Sequence, residues 1–192
     1  MSPGKLVLII GPSGVGKSVI LKKLRTRHPE FHFPRSATTR DRRTGEGNEL
    51  YKFVGDAEFD ELLAGKKLLE WATVHEGARY GTLVDEIIPP IQEGKIVIRE
   101  VDVQGFDSIR AHPLFADGTH VLQSIFILPE STDQLIAHIT NRAPIIPDEL
   151  KRRIASIERE LTYEKLCTTS VKNIEGKLEE TLKDVERFIA MK

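Results

Sequence analysis

The sequence is poor in cysteine: Cys167 is the only one, which excludes an intrachain disulfide and suits a reducing compartment. Long apolar runs are missing too. The longest near the start is Leu6–Ile10, whereas a membrane-spanning helix needs ~20 such residues and the core of an export signal ~7 or more. An excess of either charge is also lacking. With 28 basic and 29 acidic residues the formal net charge is -1, so no global field attracts nucleic acid or an anionic membrane. The six histidines follow no metal-ligand spacing, and the sequence holds no second cysteine for such a site. These absences describe a cytoplasmic protein with neither nucleic acid nor membrane as a partner. The chain has 192 residues, 40% of them hydrophobic and 30% charged. That length suits one medium domain or two small ones, and it buries roughly 70% of the unfolded surface without staples.

Short apolar runs alternate with amphipathic helical patterns, the mark of a parallel α/β sheet. Leu6–Ile10 reads as a strand buried on both faces, followed by a glycine-rich turn and a helix over Lys17–Arg27. Residues 31–53 differ, with small-sheet signals at Phe31–Phe33 and Leu50–Val54. A helix opens at Asp56 and stops at Gly65, and Lys67–Val74 reads as a strand. A helical pattern over Thr82–Gln92 is broken by Pro89-Pro90 near Ile88. Strands follow at Lys95–Val103 and Val121–Leu128, then a capped helix over Ser131–Arg142. A charged helix from Pro147 to about Lys165, a strand over Leu166–Val171 and a helix over Leu178–Ile189 close the chain.

Gly11-Pro12-Ser13-Gly14-Val15-Gly16-Lys17-Ser18 fits G-x-x-x-x-G-K-[ST] between a strand and a helix, the context this motif requires. Its glycines let backbone N–H groups wrap a phosphate chain, and the helix N-terminus adds partial positive charge. Lys17 can bridge the β- and γ-phosphates, and the Ser18 hydroxyl can bind Mg²⁺. The motif points to a nucleoside triphosphate without saying what is done with it.

Arg35, Arg40, Arg42 and Arg43 crowd one segment, and arginine forks clamp phosphate oxygens in pairs. Tyr51 and Tyr80 can add hydroxyls. A solvated basic loop, offset by Asp41, Glu46 and Glu49, is the alternative. Glu70 sits among apolar residues, where a carboxylate is costly unless paired; the alternative is an exposed place on an edge strand. Thr82 brings a hydroxyl just before a helical pattern, where it can equally be an N-cap. Glu100 and Asp102 alternate onto one face at the end of a strand, where α/β folds bind ligands, or they are a solvated strand end. Arg99 in such a strand needs a partner or a route to solvent.

Together these residues resemble the guanylate kinase family, over most of the chain. Gly11–Ser18 resembles its phosphate loop, and Ser36-Ala-Thr-Thr-Arg40 with Arg43 and Gly45-Glu46 resembles its GMP-binding signature. Tyr51-x-Phe-Val, Glu70-Trp71, Tyr80-Gly81-Thr82 and Asp102-x-Gln104-Gly105 continue the match in order. Ala37, Arg99 and His138 depart from the pattern.

The resemblance implies a P-loop-type parallel sheet flanked by helices, in a single domain over residues 1–192. Its core would be 1–34, 89–130 and 161–192, its small α+β GMP-binding region 35–88, and its helical lid 131–160. It implies transfer of the γ-phosphoryl group of ATP to GMP, and to dGMP, in purine nucleotide metabolism, with Mg²⁺ as cofactor. Ser36, Arg40, Arg43, Tyr51 and Tyr80 would hold the GMP phosphate, with Gly81 beside them. Glu70, Thr82 and Asp102 would read guanine. Glu100 would face the Mg²⁺ water shell, and Asn173 the ATP adenine. Arg142 and Arg153 would close over the moving phosphoryl group. Two other readings compete. A non-catalytic scaffold of the same fold is opposed by the complete phosphate loop, and a sugar-phosphate kinase by Glu70 with Thr82.

Overall fold

The computed structural model describes residues 4–73, 77–141 and 146–191, without the side chain of His138. The strands are β1 (Lys5–Ile10), β2 (Ser36–Thr38), β3 (Tyr51–Phe53), β4 (Leu68–Thr73), β5 (Arg79–Leu83), β6 (Ile96–Glu100), β7 (Val121–Pro129) and β8 (Thr169–Asn173). The helices are α1 (Lys17–Arg27), α2 (Asp56–Ala64), α3 (Ile88–Gln92), α4 (Val103–Ala111), α5 (Pro113–Ala116), α6 (Thr132–Thr140), α7 (Pro147–Leu161) and α8 (Leu178–Ala190). Single 3₁₀ turns lie at Val84–Glu86 and Glu164–Leu166.

Two four-stranded sheets form, one in the order β6-β1-β7-β8 and one in the order β3-β2-β5-β4. The continuous apolar run of β1 is buried at every position, as expected of a strand covered on both faces. Next to β1 in that sheet is β7, which pairs in parallel with β8. Helix α8 packs on β8 and α1, and Arg27 of α1 binds Glu179 and Glu186 of α8. The chain divides into two compact units. One gathers residues up to 6, 30–99 and 104–122; the other gathers 7–29, 100–103 and 123 onward.

In the second sheet, β2 lies between β3 (parallel) and β5 (antiparallel), and β4 pairs antiparallel with β5. One face is apolar. Ala37, Val54, Phe59, Leu68 and Leu83 form a buried cluster there, with Leu62 and Leu63 of α2 against it. Phe59 of α2 meets the ring of Trp71 edge-on, with centroids 6.3 Å apart. Ala37, which departs from the family pattern, belongs to this buried face.

Several sequence expectations are corrected. Thr82 does not cap a helix: it lies inside β5 and is fully buried, and Leu83 precedes the 3₁₀ turn that follows. The break expected near Ile88 is present, since the 3₁₀ turn ends at Glu86 and α3 starts at Ile88, with Pro89 and Pro90 in its first turn, where missing N–H groups cost nothing. The strand expected to reach Val103 ends at Glu100, and Val103 begins α4. Of Phe31–Phe33, only His32 forms a β-bridge, to Val97 of β6 and not to the small sheet.

Candidate functional site

The first cluster forms around the glycine-rich turn between β1 and α1. Gly16 precedes α1 with φ 98°, a conformation that favours glycine. Helix α1 carries no acidic residue in its first turn and no side-chain cap, so no carboxylate of its own competes with an anion at its N-terminus. Lys17 Nζ donates to Gly11 O (2.7 Å) and Pro12 O (3.1 Å) and lies 3.9 Å from Glu100 Oε1. Burial pushes the Lys17 ammonium below the usual lysine range, while the charges of Glu100, Glu160 and Asp102 pull it back up. The Ser18 hydroxyl donates to Glu100 Oε2 at 3.2 Å. Asn173 Nδ2 donates to Val15 O at 2.8 Å, and its Oδ1 accepts from Thr181 Oγ1 at 3.2 Å. The Asn173 amide thus fixes the loop's backbone. Asp102, exposed just beyond β6, belongs to the same unit as Lys17.

Sequence reasoning missed Glu160 in this cluster. On α7, its Oε2 accepts from the Ser13 N–H at 3.1 Å, and its Oε1 accepts from Ser156 Oγ at 2.9 Å. The available signal was Ser156 and Glu160 four apart on one helical face. Arg153, also on α7, binds Glu149 Oε1 through Nε (3.1 Å) and Nη2 (2.6 Å). Arg142 lies outside the described residues.

The second cluster covers the polar face of the small sheet. Register places Tyr51 opposite Ser36, Ser36 opposite Thr82, and Thr82 opposite Glu70. Directly opposed residues share a face, so these four side chains form one row across all four strands. One step along the strands, Thr38 stands opposite Phe53 and Tyr80 on the same face. The Thr82 hydroxyl donates to Glu70 Oε1, and Arg99 Nη2 lies 3.8 Å from the same oxygen. Glu70 is therefore not a solvated edge position: its side chain is 13% exposed, and Arg99 balances its charge. Gly81 faces the other way, against Leu68.

Arg40 stands beside this row. Its Nε donates to Tyr80 Oη (3.0 Å), its Nη1 to Asp41 O (2.7 Å) and its Nη2 to Glu46 Oε1 (2.7 Å). The Tyr51 and Phe53 rings each lie 5.4 Å from the guanidinium. The other arginines separate. Arg35 binds Glu86 through Nε (2.9 Å) and Nη2 (2.6 Å), Arg42 binds Glu46 O and Asn48, and the Arg43 side chain is exposed. Among the described residues, no group of three or more His, Cys, Asp or Glu could hold a metal ion. No described helix is long and apolar enough to cross a membrane.

The guanylate kinase family model matches residues 3–192. The chain belongs to the guanylate kinase family. A guanylate kinase from Streptomyces kasugaensis is 39% identical over 180 residues, spanning 91% of this chain and 84% of the relative. One from Prochlorococcus marinus is 34% identical over 186 residues, spanning 96% of both. The crystal structure of guanylate kinase from Anaplasma phagocytophilum shares the fold, with TM-score 0.66 and 23% identity, over 98% of this chain and 85% of that one. The fold is a P-loop α/β architecture.

Proposed function

We infer that this protein transfers the γ-phosphoryl group of ATP to GMP, giving ADP and GDP. The observation that carries the reading is the row Tyr51–Ser36–Thr82–Glu70 with Arg40 beside it. It joins phosphate-binding groups at one end to a carboxylate at the other, on a sheet face whose reverse is apolar. Guanine presents adjacent N1–H and N2–H₂ donors, which one carboxylate accepts together. The Thr82 hydroxyl directs its proton at Glu70 and so holds the carboxylate in place for the base. Base edge and phosphate are the features read, so we extend the assignment to dGMP.

The reaction asks little covalent chemistry of the protein. The bond from Pγ to the β-phosphate oxygen breaks, a bond from Pγ to an oxygen of the GMP phosphate forms, and ADP leaves. Catalysis is positioning and electrostatic stabilisation. Backbone N–H groups of Gly14–Ser18 wrap the triphosphate, and Asn173 braces them through Val15. Lys17 exchanges the Gly11 and Pro12 carbonyls for phosphate oxygens. In its dehydrated setting that charge acts more strongly than in water. Ser36, Arg40, Arg43, Tyr51 and Tyr80 hold the acceptor phosphate. Arg142 and Arg153 would supply further positive charge, Arg153 after leaving Glu149. Asp102 is assigned to guanine on the resemblance alone.

Mg²⁺ fits the donor set: Ser18 Oγ and Glu100 Oε2 are hard oxygen ligands 3.2 Å apart. Ser18 would hold it directly and Glu100 through water. When bound it neutralises charge on the β- and γ-phosphates.

The test is ADP release in a coupled assay with ATP and a series of acceptors. GMP and dGMP should turn over, and AMP and ribose phosphates should not. Equal use of AMP would remove the guanine assignment, and no turnover with any acceptor would make the chain a binding scaffold.

A further inference from the structure

We propose that Glu46 is a positioning residue for the acceptor phosphate, holding the Arg40 guanidinium and the Arg43 backbone together as one anion-binding unit. This rests on the reading that Arg40 and Arg43 grip the GMP phosphate.

The segment between β2 and β3 has little apolar packing to order it. Residues 41–45 and 47–50 are exposed, and Glu46 is the partly buried exception. An arginine side chain there has many rotamers, and a phosphate clamp needs one. Glu46 supplies the constraint from both carboxylate oxygens. Oε1 accepts from Arg40 Nη2 at 2.7 Å, and Oε2 accepts from the Arg43 N–H at 3.1 Å. Its own N–H donates to Arg43 O at 3.1 Å, closing a turn in which Gly45 takes φ 78°. The carboxylate is thus fixed through its own backbone.

Arg40 is held on three sides, by Tyr80, Asp41 O and Glu46. A guanidinium has five N–H donors, so the remaining ones are aimed with no further loss of freedom. The charges agree with this geometry. Hydrogen bonding to Glu46 is the largest influence raising the Arg40 pKa, and hydrogen bonding to Arg40 is the largest lowering that of Glu46.

A carboxylate against a phosphate-binding arginine can act in two opposite ways. As a competitor that must leave, its removal would tighten GMP binding. As a brace that stays, its removal would loosen it. The closed turn and the donors left on Arg40 favour the brace.

The experiment is steady-state kinetics on Glu46→Gln, Glu46→Asp, Arg40→Ala and the Arg40→Ala/Glu46→Gln pair. Glu46→Gln should raise KM for GMP roughly 10–100-fold, the penalty of a misplaced contact. KM for ATP, which reports a folded donor site, should hold. Glu46→Asp keeps the charge and should recover part of the loss. The double variant should lose less than the two single losses combined, because part of the effect of Glu46 passes through Arg40, while its bond to the Arg43 N–H acts independently. An unchanged or lowered KM for GMP in Glu46→Gln, with a raised one in Arg40→Ala, overturns the role of Glu46 and spares the reading of Arg40. A wild-type KM for GMP in Arg40→Ala overturns that reading itself. Should Glu46→Gln fail to fold, GMP binding to Glu46→Asp by calorimetry decides: weaker than wild type supports the brace, and unchanged overturns it.

Discussion

Thr82 stands directly opposite Glu70 in the antiparallel pairing of β5 with β4, and its hydroxyl donates to Glu70 Oε1. Arg99, from β6, approaches the same oxygen at 3.8 Å. A carboxylate at a sheet edge is thereby held in one place with its charge balanced. On the proposed reading, this carboxylate meets the two adjacent donors of guanine.

Glu70→Gln should abolish that recognition. An amide turns a donor toward the donors of guanine and leaves Arg99 facing a neutral group. Hydrogen bonds to a charged group are worth ~1.5–3 kcal/mol each, so losing two lowers kcat/KM for GMP by roughly 10²–10⁴-fold. ATP binding should be nearly unchanged. Kinetics with GMP and AMP decide the matter, and GMP use at the wild-type level would make Glu70 structural.

Lys17→Ala should remove turnover while the fold persists, because the lysine stabilises charge mainly in the transition state. Circular dichroism and single-turnover assays check the two halves. The same residue gives a pH signature. Burial lowers its pKa, so the charged form is lost at lower pH than for an ordinary lysine. The alkaline limb of kcat/KM for ATP, which reports the free enzyme, should fall below the usual lysine range. In kcat the limb should move up, since bound phosphate favours the charged lysine. Coincident limbs in the two profiles would contradict this.

Gly16→Ala should damage the donor loop. A Cβ there would lie 2.6 Å from Asn173 Nδ2, the group that holds Val15 O, and φ is 98°. The strain should cost about 1–3 kcal/mol, visible in urea unfolding, with weaker ATP binding. Unaltered stability and affinity would mean that the Asn173–Val15 bond does not shape the loop.

Arg35 predicts an effect on stability and not on phosphate binding. Burial raises the Glu86 pKa, but hydrogen bonds from the Arg35 side chain and N–H outweigh it, leaving Glu86 below its ordinary 4.5. A carboxylate with a depressed folded pKa stabilises the fold above its unfolded pKa. That contribution is lost as pH falls through the folded value. Arg35→Gln should therefore lower stability by about 1 kcal/mol at pH 7, since Arg35 is partly exposed, and make little difference once Glu86 is protonated. Denaturant unfolding across the acid range measures it. A penalty that persists at the acid end would assign the loss to packing.

What was legible in the sequence follows from range. Gly16 and Lys17 start α1, and His28, turned out of the helical region before Pro29, ends it, so the bounds Lys17–Arg27 are legible in the sequence. The paired partner of Glu70 could not be read, because it depends on the register of β5 between β2 and β4. Arg79–Leu83 contains Gly81, a weak strand former, and is a strand because it has neighbours on both sides. The arginine-rich segment looked like one clamp. Glu86, distant in sequence, takes Arg35 out of it, and Glu46 ties the Arg40 guanidinium to the Arg43 backbone, leaving the Arg43 side chain exposed. Sequence spacing counts the charges there and does not say which carboxylate each one faces.

If one face of the small sheet selects GMP as the acceptor of a phosphoryl group from ATP, Glu70 decides which nucleotide turns over. The most direct measurement is ADP formation with ATP and Mg²⁺, comparing GMP with AMP at equal concentration in the wild-type protein and in Glu70→Gln. Fast turnover with GMP, little with AMP, and collapse of the GMP rate in the variant are expected. Comparable rates with both acceptors, or a GMP rate untouched by Glu70→Gln, would contradict that selection.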